Sequence, residues 1–191
     1  MTDGPETVLG LVVLLFPLSE IALALFRRAR PGAATVQDRG TMRLLWVVIL
    51  SSVAMASALS GYSTTRLRLP AAAREIAALI LLGGGLALRW SAILTLGRFF
   101  TADVAIHQDH RVVDAGPYRY IRHPSYTGLL LAFLGLGVFF DNWLSVGVLI
   151  VPITLAILHR IRLEESVLCA TLGAPYYAYR ARTKRLIPHV L

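Results

Sequence analysis

Five apolar runs broken by clusters of arginine constrain this chain more than any other feature. They cover residues 8–26, 44–62, 71–97, 124–140 and 143–159. A helix needs about 20 predominantly apolar residues to cross a bilayer, with about 17 as the lower limit. The first three runs clear that length, and the last two reach its lower limit. The whole chain is 56% hydrophobic and 16% charged, against about 25% charged in an ordinary soluble domain. The expected fold is therefore an all-α integral membrane protein with five transmembrane helices. It forms one membrane domain, residues 1–191. Residues 8–70 carry the first two helices and their loops, and residues 71–191 carry the third to fifth.

The charge distribution orients it. Lysine and arginine together number 19, for a formal net charge of +8. They do not gather on one face or tail, as nucleic-acid binding would require, but lie in the gaps between apolar runs. Arg27, Arg28, Arg30, Arg39 and Arg43 follow the first run, and Arg89, Arg98, Arg111, Arg119 and Arg122 lie from the end of the third run through the polar segment after it. Arg160, Arg162, Arg180, Arg182, Lys184 and Arg185 follow the fifth, while only Arg66, Arg68 and Arg74 lie on the opposite side. Cytoplasmic loops are the basic ones. The long polar segment before residue 124 and the tail after residue 159 are thus expected in the cytoplasm, and the N-terminus outside. The absence of a basic residue in positions 1–7 argues for a first helix that stays in the membrane. The preference for arginine over lysine points to a GC-rich genome and, with it, a bacterial inner membrane. The lone Cys169 offers neither an internal disulfide nor a cysteine zinc site, and no metal is expected.

Against this apolar background stands GPYRYIRHPSYTG, residues 116–128, which packs two arginines, three tyrosines and a histidine against the start of the fourth run. Proline biases the residue before it toward extended backbone and suits the first position of a helix. Arg122 and His123 are therefore expected at the N-terminus of a helix beginning at Pro124. Its unpaired N–H groups form an anion site, with a carboxylate as the natural guest. In the second polar block, Arg160 and Glu164 are four apart on one helical face, while Glu165 lies about 100° round from Glu164. Alone, that spacing reads as a surface ion pair, and the tyrosines of both blocks as an interfacial belt. Gly83, Gly84 and Gly85 read as a close-packing point between helices. Glu20 is a carboxylate inside the first apolar run, about 10 Å along the helix from Arg27. It is expected either to face a substrate tunnel or to pair with Arg89.

Taken together, RHPSYTG (residues 122–128), EESVL (164–168) and RTKRLIP (182–188) resemble the isoprenylcysteine carboxyl methyltransferase family. More widely they resemble membrane methyltransferases that include phospholipid N-methyltransferases. The resemblance runs from about residue 107 to residue 188. It implies S-adenosylmethionine bound on the cytoplasmic side, enclosed by the last helical hairpin and the C-terminal segment. It implies cofactor contacts from His107, His110, Arg111, Val112 and Val113, from Tyr118, and from Arg122, His123, Pro124, Ser125 and Tyr126. Glu164 would bind the cofactor's amino group, and Arg160 would face the carboxylate of a lipophilic or prenylated substrate arriving from the membrane.

The chemistry fits these residue types. Methyl transfer from a sulfonium is an in-line displacement that depends on alignment, and a carboxylate nucleophile needs no general base. An amine acceptor would need one, with Glu165 or His159 as candidates. The leading expectation is a carboxyl methyltransferase, with Arg160 and Glu165 as catalytic residues and Arg160 and Glu20 facing substrate. The alternatives are a phospholipid-type N-methyltransferase, an NADPH-dependent sterol reductase-like protein, and a non-enzymatic membrane scaffold.

Overall fold

The computed structural model describes residues 16–18, 20, 34–36, 40–100, 105–107 and 111–188. Five helices run through them: α1 (Thr41–Leu59), α2 (Ala71–Leu96), α3 (Pro124–Phe139), α4 (Trp143–Leu172) and α5 (Ala174–Arg182). Helix α2 ends one residue short of the expected boundary, at Gly97, whose φ of +55° no other residue adopts easily. Pro124 sits in the first turn of α3, as its fixed φ favours. Helix α1 starts three residues early, at Thr41, behind Gly40, whose φ is +121°. Apart from the helices and short turns, the described residues contain one antiparallel ribbon, β1 (Ala34–Val36) on β2 (Ala105–His107). The first of these strands falls in a stretch that its Pro, Gly and Asp content marks as loop.

Among the described residues, three helices are long and apolar enough to cross a membrane: α1, α2 with its terminal turn, and α4. Helix α3 is shorter, at 16 residues, and most of the first expected span lies outside the described residues. Large apolar side chains stand exposed along the long helices, among them Val47, Ile80, Leu94 and Leu155. That is the surface a lipid environment accepts and water does not.

Helices α2 and α3 approach backbone to backbone. A Cβ on Gly85 would come within 2.6 Å of the Gly128 carbonyl oxygen, and one on Gly135 within 2.7 Å of the Leu82 nitrogen. Contacts that close exclude any side chain. Of the three consecutive glycines, only Gly85 makes such an approach; a Cβ on Gly83 or Gly84 would meet open space. Helix α1 lies along α4, and the core between the layers is built from Leu82, Leu129, Phe133, Leu149, Ile153 and Ile157. Phe16, from the first apolar run, packs edge-on against Phe133.

Chain connectivity and the interhelical bonds place opposite polar features at the two ends. At one end, Asn142 caps α4 by accepting from the Leu144 and Ser145 N–H groups. Its amide donates to the Leu59 and Tyr62 carbonyls near the end of α1. At the other end lie the start of α1, the end of α2, the start of α3, and the polar continuation of α4 past residue 159.

Candidate active site

The site is built where the loop before α3 meets the last turns of α4. Helix α4 runs 30 residues without a break, about 45 Å, so its C-terminal third carries Arg160, Glu164 and Glu165 beyond the apolar stretch. The two blocks of the sequence, some forty residues apart, meet here. Arg122 donates from Nε to Glu165 Oε1 at 2.9 Å, and His123 Nε2 lies 3.3 Å from the same oxygen. Arg185 donates from Nε and Nη2 to Glu165 Oε2 at 3.1 and 2.8 Å. Arg180 stands 3.9 Å from that oxygen. Glu165 is 3% exposed. Both its oxygens are engaged, so it has no free lone pair directed at a reacting proton.

Glu164, beside it in sequence, is placed differently. Its side chain is 31% exposed. Oε2 accepts from the Tyr126 hydroxyl at 3.2 Å, and His123 Nδ1 is 3.9 Å away. Tyr126 in turn accepts from Arg160 Nε at 2.8 Å. Arg160 and Glu164 are thus linked through a phenol on α3 rather than read as a simple surface pair. Arg160 is buried, and its Nη1 donates to Thr41 Oγ1 at 2.8 Å, which brings the start of α1 to the site.

The C-terminal strap after α5 runs beside the motif loop in parallel pairing, Ile121 opposite Lys184. The Arg122 and His123 N–H groups donate to the Lys184 and Arg185 carbonyls at 2.7 and 3.0 Å, and Thr127 Oγ1 donates to the Leu186 carbonyl at 2.7 Å. Arg122 Nη1 also donates to the Arg180 and Thr183 carbonyls. The N–H groups of Tyr126 and Thr127 turn back onto the His123 carbonyl. Four of the donors expected to form an anion cradle therefore have backbone partners.

Helix α5 is fixed by the Tyr179 hydroxyl, which donates to the Tyr118 carbonyl at 2.7 Å; burial pushes that phenol up to about 12. Burial, reinforced by Glu164, also raises Tyr118, and burial with Glu165 and Glu164 raises Tyr176, so both stay protonated donors. The Tyr176 hydroxyl is buried and has no hydrogen-bond partner among the described residues.

Other expected residues sort by place. Pro124 and Ser125 are buried in the first turn of α3. Ser125 receives Arg89 Nη1 on both Oγ, at 2.9 Å, and its carbonyl, at 3.2 Å. Arg89 also binds both carboxylate oxygens of Glu20, at 2.5 and 2.6 Å, which is the second of the two roles foreseen for Glu20. Val112 and Val113 are half-buried and Arg111 is exposed. His107 lies on β2 opposite Ala34, and His110 falls outside the described residues. Sequence reasoning gave no role at the site to Thr41, Tyr176 or Arg185, and set Arg89 beside Glu20 without Ser125. Only Arg185 carried a signal, as part of RTKRLIP.

Comparison with known proteins fits this geometry. Residues 76–170 match the model of the isoprenylcysteine carboxyl methyltransferase family. By that segment, just under half of its length, the chain is similar to this family. It is 35% identical over 105 residues to protein-S-isoprenylcysteine O-methyltransferase B of Arabidopsis thaliana, covering 54% of this chain and 53% of that protein. It is 34% identical over 103 residues to the Schizosaccharomyces pombe protein-S-isoprenylcysteine O-methyltransferase, covering 53% and 44%. A solved structure of the eukaryotic intramembrane Ras methyltransferase of this family superposes with a TM-score of 0.58 at 27% identity, covering 78% of this chain and 51% of that one. The chain spans about half the length of the curated relatives it matches. The matched segment contains α3, most of α4 and both glutamates; α5 and the strap lie beyond it.

Proposed function

We propose that this integral membrane protein is an S-adenosylmethionine-dependent methyltransferase that esterifies the carboxylate of a prenylcysteine-type or other lipid-like substrate. We place its site at the cytoplasmic face, with five spans and the N-terminus outside. The observation that carries the reading is the line Arg160–Tyr126–Glu164, which joins a buried guanidinium to a half-buried carboxylate across one phenol.

The residues present suit the cofactor. Its amino-acid end carries an ammonium group and a carboxylate. Tyr126 bonds Oε2 of Glu164, which leaves Oε1 to receive the ammonium, and the buried Tyr176 hydroxyl, without a partner among the described residues, is a donor for the carboxylate. When bound, the cofactor supplies an electrophilic methyl on a sulfonium. The chain's work is alignment and exclusion of water, because opposite charges cancel during transfer and a dry pocket favours that. Arg160, fixed by Tyr126 and Thr41, orients the substrate carboxylate. No proton has to move. The same geometry favours oxygen over nitrogen as the methyl acceptor: Glu165 is committed to its cationic partners, and His159 is exposed away from the buried Arg160. We assign Glu165 to the framework of the site rather than to proton transfer.

Two substitutions test the reading. Glu164→Gln removes a charge-assisted hydrogen bond and should weaken cofactor binding by about 1.5–3 kcal/mol, read by calorimetry with S-adenosylmethionine or its demethylated product. Arg160→Lys keeps the charge but loses the planar fork. Single-turnover transfer to a prenylated cysteine should slow by about tenfold, roughly 1.4 kcal/mol in barrier, with cofactor affinity near that of the unaltered protein. Loss of neither quantity would send substrate and cofactor elsewhere in the molecule; NADPH binding instead would favour the reductase reading.

A further inference from the structure

The commitment of Glu165 has a further use. Its two oxygens face two different parts of the chain: Oε1 faces Arg122 and His123 of the motif loop, and Oε2 faces Arg185 of the strap. A single buried carboxylate therefore holds together three segments, α4, the loop before α3, and the strap; Glu164 reaches His123 of the loop at 3.9 Å, whereas the ion pairs to Arg122 and Arg185 go to Glu165. The strap's own attachments lie on either side of this point, at Lys184, Arg185 and Leu186. Without Glu165, Arg122, His123 and Arg185 would be three cationic or polar groups crowded in a poorly solvated space, and mutual repulsion would part the strap from the loop.

We infer that Glu165 is a positioning residue, the fastener that keeps the C-terminal strap across the motif loop, and that the cofactor site is complete only while the strap is fastened. The inference rests on the proposed cofactor site. Fastening also explains how α5, which the strap continues, is held so that the Tyr176 hydroxyl is buried near both glutamates. Binding and fastening are then linked: a cofactor that needs the strap in place must itself hold the strap in place, by the same factor.

Trypsin reads the strap directly, because cleavage after Lys184 requires its carbonyl to leave the Arg122 N–H and enter the protease as an extended segment. With the full-length protein in detergent, nicking at Lys184 is followed by mass spectrometry, with and without S-adenosylhomocysteine as probe. Glu165→Gln should be nicked at least about tenfold faster than the unaltered protein and should bind the probe at least about tenfold more weakly. The probe should slow nicking of the unaltered protein. Arg185→Gln, which releases only the strap side and leaves α4 and the loop joined, should move both readouts in the same direction and guards against a Glu165 variant that fails to fold. Unchanged nicking in Arg185→Gln overturns the fastener. Faster nicking with unchanged probe affinity overturns the link between the strap and the site. Failure of the unaltered protein to bind the probe, with faster nicking in both variants, would instead overturn the proposed cofactor site and with it the positioning role, while the fastening itself would stand.

Discussion

At one end of the bundle the turn between α3 and α4 is fastened by a neutral amide, and at the other the loop before α3 is fastened by an ionised carboxylate. Asn142 spends all its hydrogen-bonding capacity within a small neighbourhood, on the first turn of α4 and the end of α1. Glu165 draws in residues from 20 to 43 positions away and holds them by charge. The first arrangement joins only two segments, the start of α4 and the stretch around the end of α1 that lies 77 to 83 positions before it, and it uses its bonds up between them. The second needs several separated segments to arrive together, and it leaves neighbouring polar groups with capacity to spare. Each end has one buried polar atom without a partner among the described residues: an acceptor, Asp141 Oδ1, at the turn, and a donor, the Tyr176 hydroxyl, at the site. Beside Asp141 stand arginines that already neutralise it, Arg74 at 3.1 Å and Arg66 at 3.7 Å. Beside Tyr176 stand two glutamates, which a phenol's ligand would have to answer. The difference teaches that tight closure of a helix end and readiness to bind are separable properties of the same fold.

The largest effect that would break this comparison lies in the charged pair behind the site. Glu20→Gln leaves Arg89 buried without its counter-charge and should cost about 3–5 kcal/mol of stability, measured by unfolding in detergent. The double variant with Arg89→Gln should recover much of that loss. A smaller effect is expected at the turn. Asn142→Ala removes the cap of α4 and should cost about 2 kcal/mol, with cofactor affinity unchanged within about twofold. A marked loss of affinity there would show the two ends to be coupled. The smallest effect is expected for Arg182→Ala, which breaks the pair with Asp114 at the surface. Both partners are more than half exposed, and such pairs contribute about 0–1 kcal/mol.

The helices were legible in the sequence because hydropathy and punctuation agree. Pro70, Gly97 and Pro124 mark ends that the structure keeps. The start of α1 was less legible, since Thr41, Met42 and Arg43 read as polar linker and only Gly40 breaks the backbone. The ribbon was not legible: three residues on each side pair through backbone groups that no side-chain pattern announces. The membership of the site was read from the two motifs, and the structure does bring His123, Tyr126, Arg160 and Glu164 into one network. Which glutamate of the EE pair turns inward was beyond the sequence, because it depends on partners from the loop and the strap. Spacing placed Arg160 and Glu164 on one face but gave no hint that Tyr126 stands between them. Pairing with Arg89 was one of the two roles expected of Glu20, beside facing substrate, whereas the continuation from Arg89 to Ser125 was not foreseen.

Helix α3 has a consequence of its own. Its 16 residues rise about 24 Å, some 6 Å less than the roughly 30 Å hydrocarbon layer. The turn at its C-terminal end is held level with the end of α1 by Asn142, so the shortfall falls at the motif end. Hydrophobic mismatch of this kind is met by thinning of the bilayer or by drawing polar groups below its surface. The polar groups at the start of α3 then lie at the headgroup boundary if the bilayer thins and just beneath it if it does not, flanked by the longer α2 and α4. On the proposed reading, a substrate held in the lipid by an apolar tail would present its carboxylate there by sideways diffusion, without withdrawing the tail.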